Sequence, residues 1–299
     1  MKIGLIGLGR MGGNMARRLI ESGHEVVAFD IDKKNVAAAE GVGAQGVGSL
    51  SDLVAALPRP RVVWVMVPHG RPTRETLEVL IPGMESDDIL IDGGNSHYPS
   101  SMGHADACSR RGIRFLDIGV SGGVWGLEVG YCMMVGGPED AFHEVEPVLA
   151  ALAPEDGYAH VGPSGAGHFV KMIHNAIEYG MLQAIGEGFE CLHESDWDLD
   201  PVKIARVWRH GSVIRCWLLD LLEDAFRKEG GDLAGVGPWV DDSGTGRWTV
   251  DFALEKGLPL PIITDALFER FSSRRRDRFS HRTIAALRNQ FGGHPMKGA

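Results

Sequence analysis

The stretch GLIGLGRMGGNMARRLI, residues 4–20, decides the fold. It carries Gly7, Gly9 and Gly12 of a GxGxxG motif between an apolar run that begins at residue 2 and a predicted helix over residues 14–22. The glycines allow a tight turn and let backbone N–H groups approach a pyrophosphate at the helix N-terminus. Strand, motif and helix in this order predict a dinucleotide site, and a glycine-rich turn without a ligand is the alternative.

Short β-rich runs alternate with helical stretches through the first half of the chain. The predicted strands are KIGLIG, EVVAFD, RVVWVMV, DILID, IRFLDIGV and GYCMMVGG. Several are almost continuously apolar, as strands buried on both faces are. With helices predicted over residues 14–22 and 72–81, the alternation indicates an α/β fold, a doubly wound parallel sheet of the Rossmann type.

The pattern changes at VGPSGAG, residues 161–167, and the rest of the chain shows amphipathic helical runs with almost no strand signal. We therefore predict a dinucleotide-binding domain over residues 1–163 and an all-α domain over residues 164–299, with the boundary at about Pro163.

Composition narrows the possible functions. The net charge of −10 argues against a nucleic-acid partner, although residues 261–299 carry a net charge of +5. No apolar run approaches the roughly 18 residues that a membrane span needs, and the first residues are too glycine-rich for a signal peptide. The four cysteines form no CxxC, so we expect reduced, buried thiols of a cytoplasmic protein. The histidines lack metal-ligand spacing, and no metal is expected.

Asp30 closes the predicted strand EVVAFD, about twenty residues after the glycine motif. A carboxylate there accepts hydrogen bonds from the adenosine ribose hydroxyls and repels a 2′-phosphate. Asp32 adds to the repulsion, and Lys33 and Lys34 follow instead of an arginine. The sequence thus predicts NAD over NADP, unless Asp30 merely caps a turn.

The stretch KMIHNAIEYG, residues 171–180, combines polar and apolar side chains at helical spacing. At about 100° per residue, five polar residues fall in one stripe about 140° wide. These are Lys171, His174, Asn175, Glu178 and Tyr179. The opposite side holds Met172, Ile173, Ala176, Ile177 and Gly180. We predict a long helix whose apolar side packs and whose polar stripe lines a wet cavity, an ordinary surface helix being the alternative.

The chain resembles the 6-phosphogluconate dehydrogenases (decarboxylating), in their short, NAD-preferring bacterial form. The resemblance covers nearly the whole chain. It is carried by GLIGLGRMG, DGGNS, VSGGVWG, GHFVKMIHNAIEYG, WRHGSVIRCWLLD, GTGRWT, ALFERF and ALRNQFGGH. The pattern GxxxKxxxN alone would indicate only the wider β-hydroxyacid dehydrogenase superfamily, and HNxxEY with GGN narrows it.

The resemblance implies oxidative decarboxylation of 6-phospho-D-gluconate to ribulose 5-phosphate with reduction of NAD, a reaction of gluconate use and the pentose phosphate pathway. Lys171 would be the general base on the substrate 3-hydroxyl, and for this its amine must be uncharged. The protonated lysine would then polarise the keto oxygen while carbon dioxide leaves. Glu178 would protonate the enediol carbon, and Asn175 completes the catalytic set.

The same resemblance implies the binding residues. The cofactor would contact Gly7, Leu8, Gly9, Arg10, Met11, Gly12, Asp30, Val67, Pro68, His69 and Asn95. The sugar acid would contact Asn95, Ser121, Gly122, Gly123, His174 and Asn175, and its phosphate would contact Tyr179, Thr245 and Arg270. Arg288 and His294 would also bind the substrate. Arg288 and His294 lie in a tail that, in the family, reaches into the partner subunit, which implies a homodimer or homotetramer.

The chain departs from the longer family members at one phosphate contact. Where they carry a lysine before Gly-Thr-Gly-Lys-Trp, this chain has Ser243. It is also much shorter in its helical part. Both differences bear on phosphate binding and subunit arrangement, and neither touches Lys171, Glu178 or the cofactor motif.

Two other functions remain open at this point. The first is a β-hydroxyacid dehydrogenase for an unphosphorylated acid such as 3-hydroxyisobutyrate, which the basic C-terminal region and HNAIEY disfavour. The second is a catalytically silent, NAD-binding regulatory protein, which has no need of Lys171, Asn175 and Glu178.

Overall fold

The computed structural model describes residues 1–275, 278 and 280–284. The chain divides into two compact units, residues 1–174 and residues 175 onward, and the division falls inside a long helix. The sequence-based boundary at about Pro163 marks where strands give way to helices, and it stays a prediction.

The first unit is built on one eight-stranded sheet. Its strands are β1 (Lys2–Ile6), β2 (Glu25–Phe29), β3 (Gln45–Gly46), β4 (Val62–Val65), β5 (Ile89–Asp92), β6 (Arg114–Ser121), β7 (Cys132–Gly136) and β8 (Tyr158–Gly162). They lie in the order β3-β2-β1-β4-β5-β6-β7-β8. The strand order reverses between β1 and β4, which is where open α/β sheets bind ligands.

Helices connect the strands of the first unit. They are α1 (Arg10–Glu21), α2 (Lys33–Glu40), α3 (Leu50–Ala55), α4 (Arg71–Gly83), α5 (Tyr98–Ser109), α6 (Gly126–Val129) and α7 (Glu139–Leu152), and a 3₁₀ turn covers Gly123–Trp125. The long helix α8 (Ala166–His193) follows β8.

All six predicted strands form, and the Rossmann-type architecture is confirmed. Two further strands, β3 and β8, escape sequence reasoning because β3 has only two residues and β8 is half-exposed, so neither is apolar enough to be recognised. The sheet is parallel except that β7 runs antiparallel to β6. Residues 122–131 between them are too few for the crossover of a dozen or more residues that a parallel connection requires.

The sheet is buried on both faces, as its apolar strands predict. One core cluster joins Ile3, Leu5 and Trp64 to helices α1 and α7, and the other joins Val63, Val65 and Leu90 to helices α3 and α4. Because successive strand residues point to opposite faces, a run of consecutive apolar residues fills both clusters at once.

The cysteines depart from the expectation of buried thiols. Cys108 is buried, and burial raises the pKa of its thiol to about 12. Cys132 and Cys191 are exposed and Cys216 is half-buried, and all four are free thiols. Cys132 begins the strand β7, and Cys191 lies near the end of the helix α8.

The second unit, in the part that the structure describes, consists of helices and loops. Its helices after α8 are α9 (Pro201–Arg209), α10 (Trp217–Glu229), α11 (Thr245–Lys256) and α12 (Pro261–Ser273). Across the described residues of the whole chain, no helix has both the length and the hydropathy that a membrane crossing requires.

A buried carboxylate joins α9 to α10. Arg206 and Arg227 donate to Oε1 of Glu223 at 3.1 and 2.9 Å, and Arg209 donates to Oε2. These arginine hydrogen bonds lower the pKa of Glu223, while its desolvation works in the opposite direction. The carboxylate therefore stays ionised and links three guanidinium groups from two helices.

We expect Glu223→Ala to lower the melting temperature by about 5–10 °C, because three cations lose their shared anion. Glu21→Ala is the matched control, since its pair with Arg17 is exposed and should contribute almost nothing. Because the folded-state pKa is depressed, the stabilisation is full above pH 4.5, the ordinary carboxyl value, and is lost as the pH falls further. Calorimetry from pH 3 to 7 measures this, and equal effects of both variants would contradict it.

Candidate active site

The glycine motif forms the turn between β1 and α1. Gly7 has φ +87°, and a Cβ there would lie 2.6 Å from the carbonyl oxygen of Met66. A Cβ at Gly12 would lie 1.9 Å from the carbonyl oxygen of Gly7, so helix α1 packs directly on the turn. At Gly9, the residue directly before α1, the space is open and no side chain caps the helix. The turn is thus closed on its protein side and open where a pyrophosphate would approach.

Asp30 directly follows β2 and is hydrogen-bonded to this turn. Its Oδ2 accepts a hydrogen bond from the backbone N–H of Leu8 at 2.6 Å, and its Oδ1 accepts one from the backbone N–H of Asp32 at 2.7 Å. Each carboxylate oxygen has a second lone pair for a ribose hydroxyl. The turn-capping role and the ribose role are therefore compatible, and the ribose role stays a prediction.

A cleft of about 860 Å³ opens at the carboxyl ends of β1, β2, β4 and β5. Of the predicted cofactor contacts, it is lined by Gly7, Gly9, Arg10, Met11, Gly12, Asp30, Val67, Pro68 and Asn95. Leu8 is buried and contributes its N–H to Asp30 instead, and His69 is exposed outside the lining. The size and the open glycine turn fit a dinucleotide.

Sequence reasoning missed part of this lining. Ile31 is 94% exposed beside Asp30, and Arg71, Pro72, Glu75 and Thr76 come from the first turns of α4. The available signal was the position of α4 directly after a buried strand, because strand ends and helix starts line such clefts.

Asn95 connects the cleft to the neighbouring strand. It has φ +52°, in a turn where Asp92 accepts hydrogen bonds from Gly94 N at 2.9 Å and from Ser96 Oγ at 2.8 Å. Its side-chain amide donates to the carbonyl of Val120 at 3.1 Å and accepts from the N–H of Val120 at 2.9 Å. These two hydrogen bonds join Asn95, which lines the cleft, to Val120, the residue before Ser121.

Lys171 lies close to two other predicted site residues. Its Nζ is 3.3 Å from Nδ1 of His174, and Nε2 of His174 is 3.4 Å from Oγ of Ser121. A Cβ at Gly119 would lie only 2.3 Å from Cβ of Lys171, so the lysine passes directly over β6. The structure therefore brings Lys171, His174 and Ser121 together at the end of β6.

Asp117, which sequence reasoning missed, holds the start of α8. It is fully buried in β6, and its oxygens accept from Gly165 N at 2.6 Å and from His168 N at 2.8 Å. Ser101 Oγ lies 2.7 Å from Nδ1 of the buried His168. An acidic residue inside the apolar strand FLDIGV was the available signal, since such a group is buried only with partners.

The polar stripe of α8 is not uniformly exposed to solvent. Lys171 is 5% exposed and Tyr179 is 4% exposed, whereas Ile177 on the predicted apolar side is 52% exposed. The prediction that the apolar side packs was correct for Met172 and Ala176 and wrong for Ile177. Helical periodicity gives the angle of each side chain but not which neighbours surround it.

Three predicted phosphate contacts meet in the second unit. The hydroxyl of Tyr179 accepts a hydrogen bond from Ser243 N at 3.1 Å, and Oγ of Ser243 lies 3.0 Å from Oγ1 of Thr245. The guanidinium of Arg270 stacks 3.4 Å from the centre of the Tyr179 ring and donates to the carbonyl of Asp241. Thr245 is the first residue of α11, whose N-terminus favours an anion.

The arginines near Tyr179, Ser243 and Thr245 differ in whether a carboxylate pairs with them. Asp242 accepts from Arg247 at 2.7 Å and from Arg274 at 2.7 Å, and these hydrogen bonds hold the pKa of Asp242 far below its ordinary value. Within the described residues, Arg270 forms no ion pair. Arg270 is thus a cation whose charge is available to an incoming anion.

Other predicted residues have separate outcomes. Glu178 and Asn175 are half-buried on α8, and Gly122 and Gly123 follow Ser121 at the end of β6. Arg288 and His294 lie outside the described residues. Among the described residues, no group of three or more His, Cys, Asp or Glu side chains could hold a metal.

Comparison with known proteins places this arrangement in a family. Residues 2–162 match the "NAD binding domain of 6-phosphogluconate dehydrogenase", and residues 167–196 match the "6-phosphogluconate dehydrogenase, C-terminal domain". A protein of Haloferax volcanii named "6-phosphogluconate dehydrogenase, NAD(+)-dependent, decarboxylating" is 49% identical over 297 residues, covering 99% of this chain and 98% of that protein.

Two further relatives agree. A Bacillus subtilis protein named "Putative 6-phosphogluconate dehydrogenase YqeC" is 46% identical over 294 residues, covering 98% of each chain. The solved 6-phosphogluconate dehydrogenase of Plasmodium falciparum is 26% identical with a TM-score of 0.83, and the match covers 100% of this chain but 66% of that one. The chain therefore belongs to the 6-phosphogluconate dehydrogenase family, and residues 2–162 are its NAD-binding domain.

Proposed function

We propose that the protein catalyses the NAD-dependent oxidative decarboxylation of 6-phosphogluconate to ribulose 5-phosphate and carbon dioxide. The observation that carries the proposal is the buried Lys171 beside His174 and Ser121, at the same edge of the sheet as the dinucleotide cleft. The Haloferax relative, which matches over 98% of its length, bears the name of this activity.

Lys171 acts as the general base in the oxidation. Its Nζ takes the proton of the substrate 3-hydroxyl, and Ser121, His174 and Asn95 orient the carboxylate and the hydroxyls. NAD, when bound in the cleft, supplies the acceptor for the hydride that leaves carbon 3. The lysine, now protonated, donates a hydrogen bond to the new keto oxygen and stabilises the negative charge that develops there as carbon dioxide leaves.

Glu178 acts as the acid that completes the reaction. It follows Lys171 by seven residues in the sequence, close to two turns at helical periodicity, and this spacing predicts both side chains on one side of a helix. Its proton goes to the carbon from which carbon dioxide has left, so the enediolate becomes the ketone ribulose 5-phosphate. Asn175, between them in sequence, orients the hydroxyls, and we propose no proton transfer for it.

The phosphate is recognised mainly by hydroxyl groups and one cation. Tyr179, Ser243 and Thr245 present a chain of hydroxyls at the N-terminus of α11, and Arg270 supplies the charge. Ser243 thus occupies with a hydroxyl the place of a lysine in longer family members. Arg288 and His294, in the tail, are proposed to complete this site in a homodimer or homotetramer.

Asp30 makes NAD the preferred cofactor. Its carboxylate is fixed by Leu8 and Asp32 at the mouth of the cleft, where a 2′-phosphate would meet a negative charge. No arginine follows Asp30 directly to offset that charge. We therefore propose that the protein is a short, NAD-preferring member of its family.

Lys171→Met should lower kcat by at least about a hundredfold, because it removes the base and keeps the volume of the side chain. The dissociation constant of NAD should change less than about twofold, since Lys171 is not part of the cleft lining. NADH absorbance with 6-phosphogluconate and a separate NAD titration measure the two effects. Lys203→Met, on the exposed surface of α9, is the matched control, and substantial activity of Lys171→Met would exclude Lys171 as the base.

Asp30→Ala should raise the KM for NAD by about tenfold or more and that for NADP much less. The variant also loses the hydrogen bond between Asp30 and the backbone N–H of Leu8, whichever cofactor is used. The informative quantity is therefore the ratio of kcat/KM with NAD to kcat/KM with NADP. Asp32→Ala keeps that hydrogen bond and should change the ratio less. An equal loss with both cofactors would refute the ribose role.

Arg270→Ala should raise the KM for the phosphorylated sugar acid by roughly 30-fold to 100-fold, because a charge-assisted hydrogen bond to phosphate is lost. Arg275→Ala, an exposed neighbour, should change it little.

Wild-type protein should oxidise 6-phosphogluconate and leave gluconate and 3-hydroxyisobutyrate nearly untouched. Preferred turnover of 3-hydroxyisobutyrate would instead support the unphosphorylated-acid alternative.

A further inference from the structure

The loop of residues 122–131, between β6 and β7, wraps around one aromatic ring, and we call it the β6–β7 loop. Tyr131 is fully buried at its end. A Cβ at Gly126 would lie 2.0 Å from Cε1 of that ring, and one at Gly122 would lie 3.2 Å from its Cδ1. Only glycine leaves room for the ring at Gly126, so the ring determines the path of the loop.

Three hydrogen bonds tie the same loop to helix α1. Asn14 donates from Nδ2 to the carbonyl of Val124 at 3.3 Å, and Arg18 donates to the carbonyl of Leu127 at 2.9 Å. The third bond runs from the hydroxyl of Tyr131 to the carbonyl of Met11 at 3.5 Å. All three partners in α1 lie three or four residues apart, on one side of the helix.

Helix α1 therefore meets two different neighbours. Its first residues, Arg10, Met11 and Gly12, line the dinucleotide cleft, and Met11 also receives the hydrogen bond of Tyr131. The hydroxyl of Tyr131 is an O–H donor at neutral pH, and burial raises its pKa above the ordinary tyrosine value. A turn of helix that faces the cofactor is thus joined to the loop that begins directly after Ser121.

We propose that Tyr131 is a positioning residue for the substrate. Its ring sets the path of the β6–β7 loop and its hydroxyl fixes that loop to α1, so that Ser121, Gly122 and Gly123 keep the arrangement that receives the sugar acid. The identity of the substrate rests on the proposed function, whereas the anchoring of the loop rests only on the contacts of Tyr131, Asn14 and Arg18. Tyr131 itself takes no part in the chemistry.

The kinetic test uses Tyr131→Phe, which keeps the ring and removes only the hydroxyl. With 6-phosphogluconate as substrate, the substrate KM should rise about threefold to fivefold, the range expected for one lost neutral hydrogen bond. The values of kcat and of the KM for NAD should stay within about twofold, which separates positioning from general damage. Tyr158→Phe, on β8, is the matched control and should change none of them. An unchanged substrate KM, or an equal loss in kcat, would overturn the proposal.

Hydrogen–deuterium exchange tests the anchoring without any substrate. Peptides that cover residues 122–131 should take up deuterium faster in Tyr131→Phe than in wild type, and peptides from β1 and the glycine turn should not. Unchanged exchange in the loop would overturn the role of Tyr131. If wild-type protein does not turn over 6-phosphogluconate, the proposed function fails, and the exchange result still decides whether Tyr131 holds the loop.

A second pair of variants tests the ring. Gly126→Ala forces a Cβ against Tyr131 and should raise the substrate KM by about tenfold or more. Adding Tyr131→Leu frees space and should lower that KM again, although the hydroxyl is lost. The absence of any recovery in the double variant would show that the ring does not set the path of the loop.

Discussion

The candidate site depends on the hydrogen bonds between the carboxylate of Asp117 in β6 and the backbone at the N-terminus of α8. A helix of 28 residues begins with unpaired N–H groups and a partial positive charge, and both must be satisfied where the helix meets the sheet. Asp117 does this from inside β6, where it is fully buried. Its strand also carries Gly119, which lets Lys171 pass at contact distance. The position of the proposed base thus follows from one buried acid and one missing side chain.

The remaining parts of the first unit are joined by hydrogen bonds of the same kind, from a side chain to the backbone of another element. Asp30 connects β2 to the glycine turn, and Asn95 connects the turn after β5 to Val120. Bonds of this type fix loops without covering the cleft, because each uses backbone groups on the protein side. The walls of the cleft are therefore fixed by hydrogen bonds on their protein side, as preorganised binding requires.

The second unit arranges its charges differently. Asp242 binds Arg247 and Arg274, whereas Arg270 lies against the face of Tyr179 and a carbonyl oxygen. A guanidinium stacked on an aromatic ring directs its N–H donors in its own plane, away from the ring, and has no carboxylate to neutralise its charge. With Ser243 in the position of a lysine, the proposed phosphate recognition relies on oriented hydroxyls more than on charge, which favours geometric selectivity over long-range attraction.

The sequence by itself determined the features that depend on neighbouring residues. The order of strand, glycines and helix, the Asp30 that follows, and the helical spacing from Lys171 to Tyr179 are local patterns with local causes, namely backbone sterics and helical periodicity. Only the tertiary structure decided which of those residues are buried, that β7 runs antiparallel, and that Asp117 and Tyr131 hold elements 48 and 120 residues away. Such contacts leave no periodic trace in the chain, because they form between residues whose distance in sequence places no limit on their distance in space.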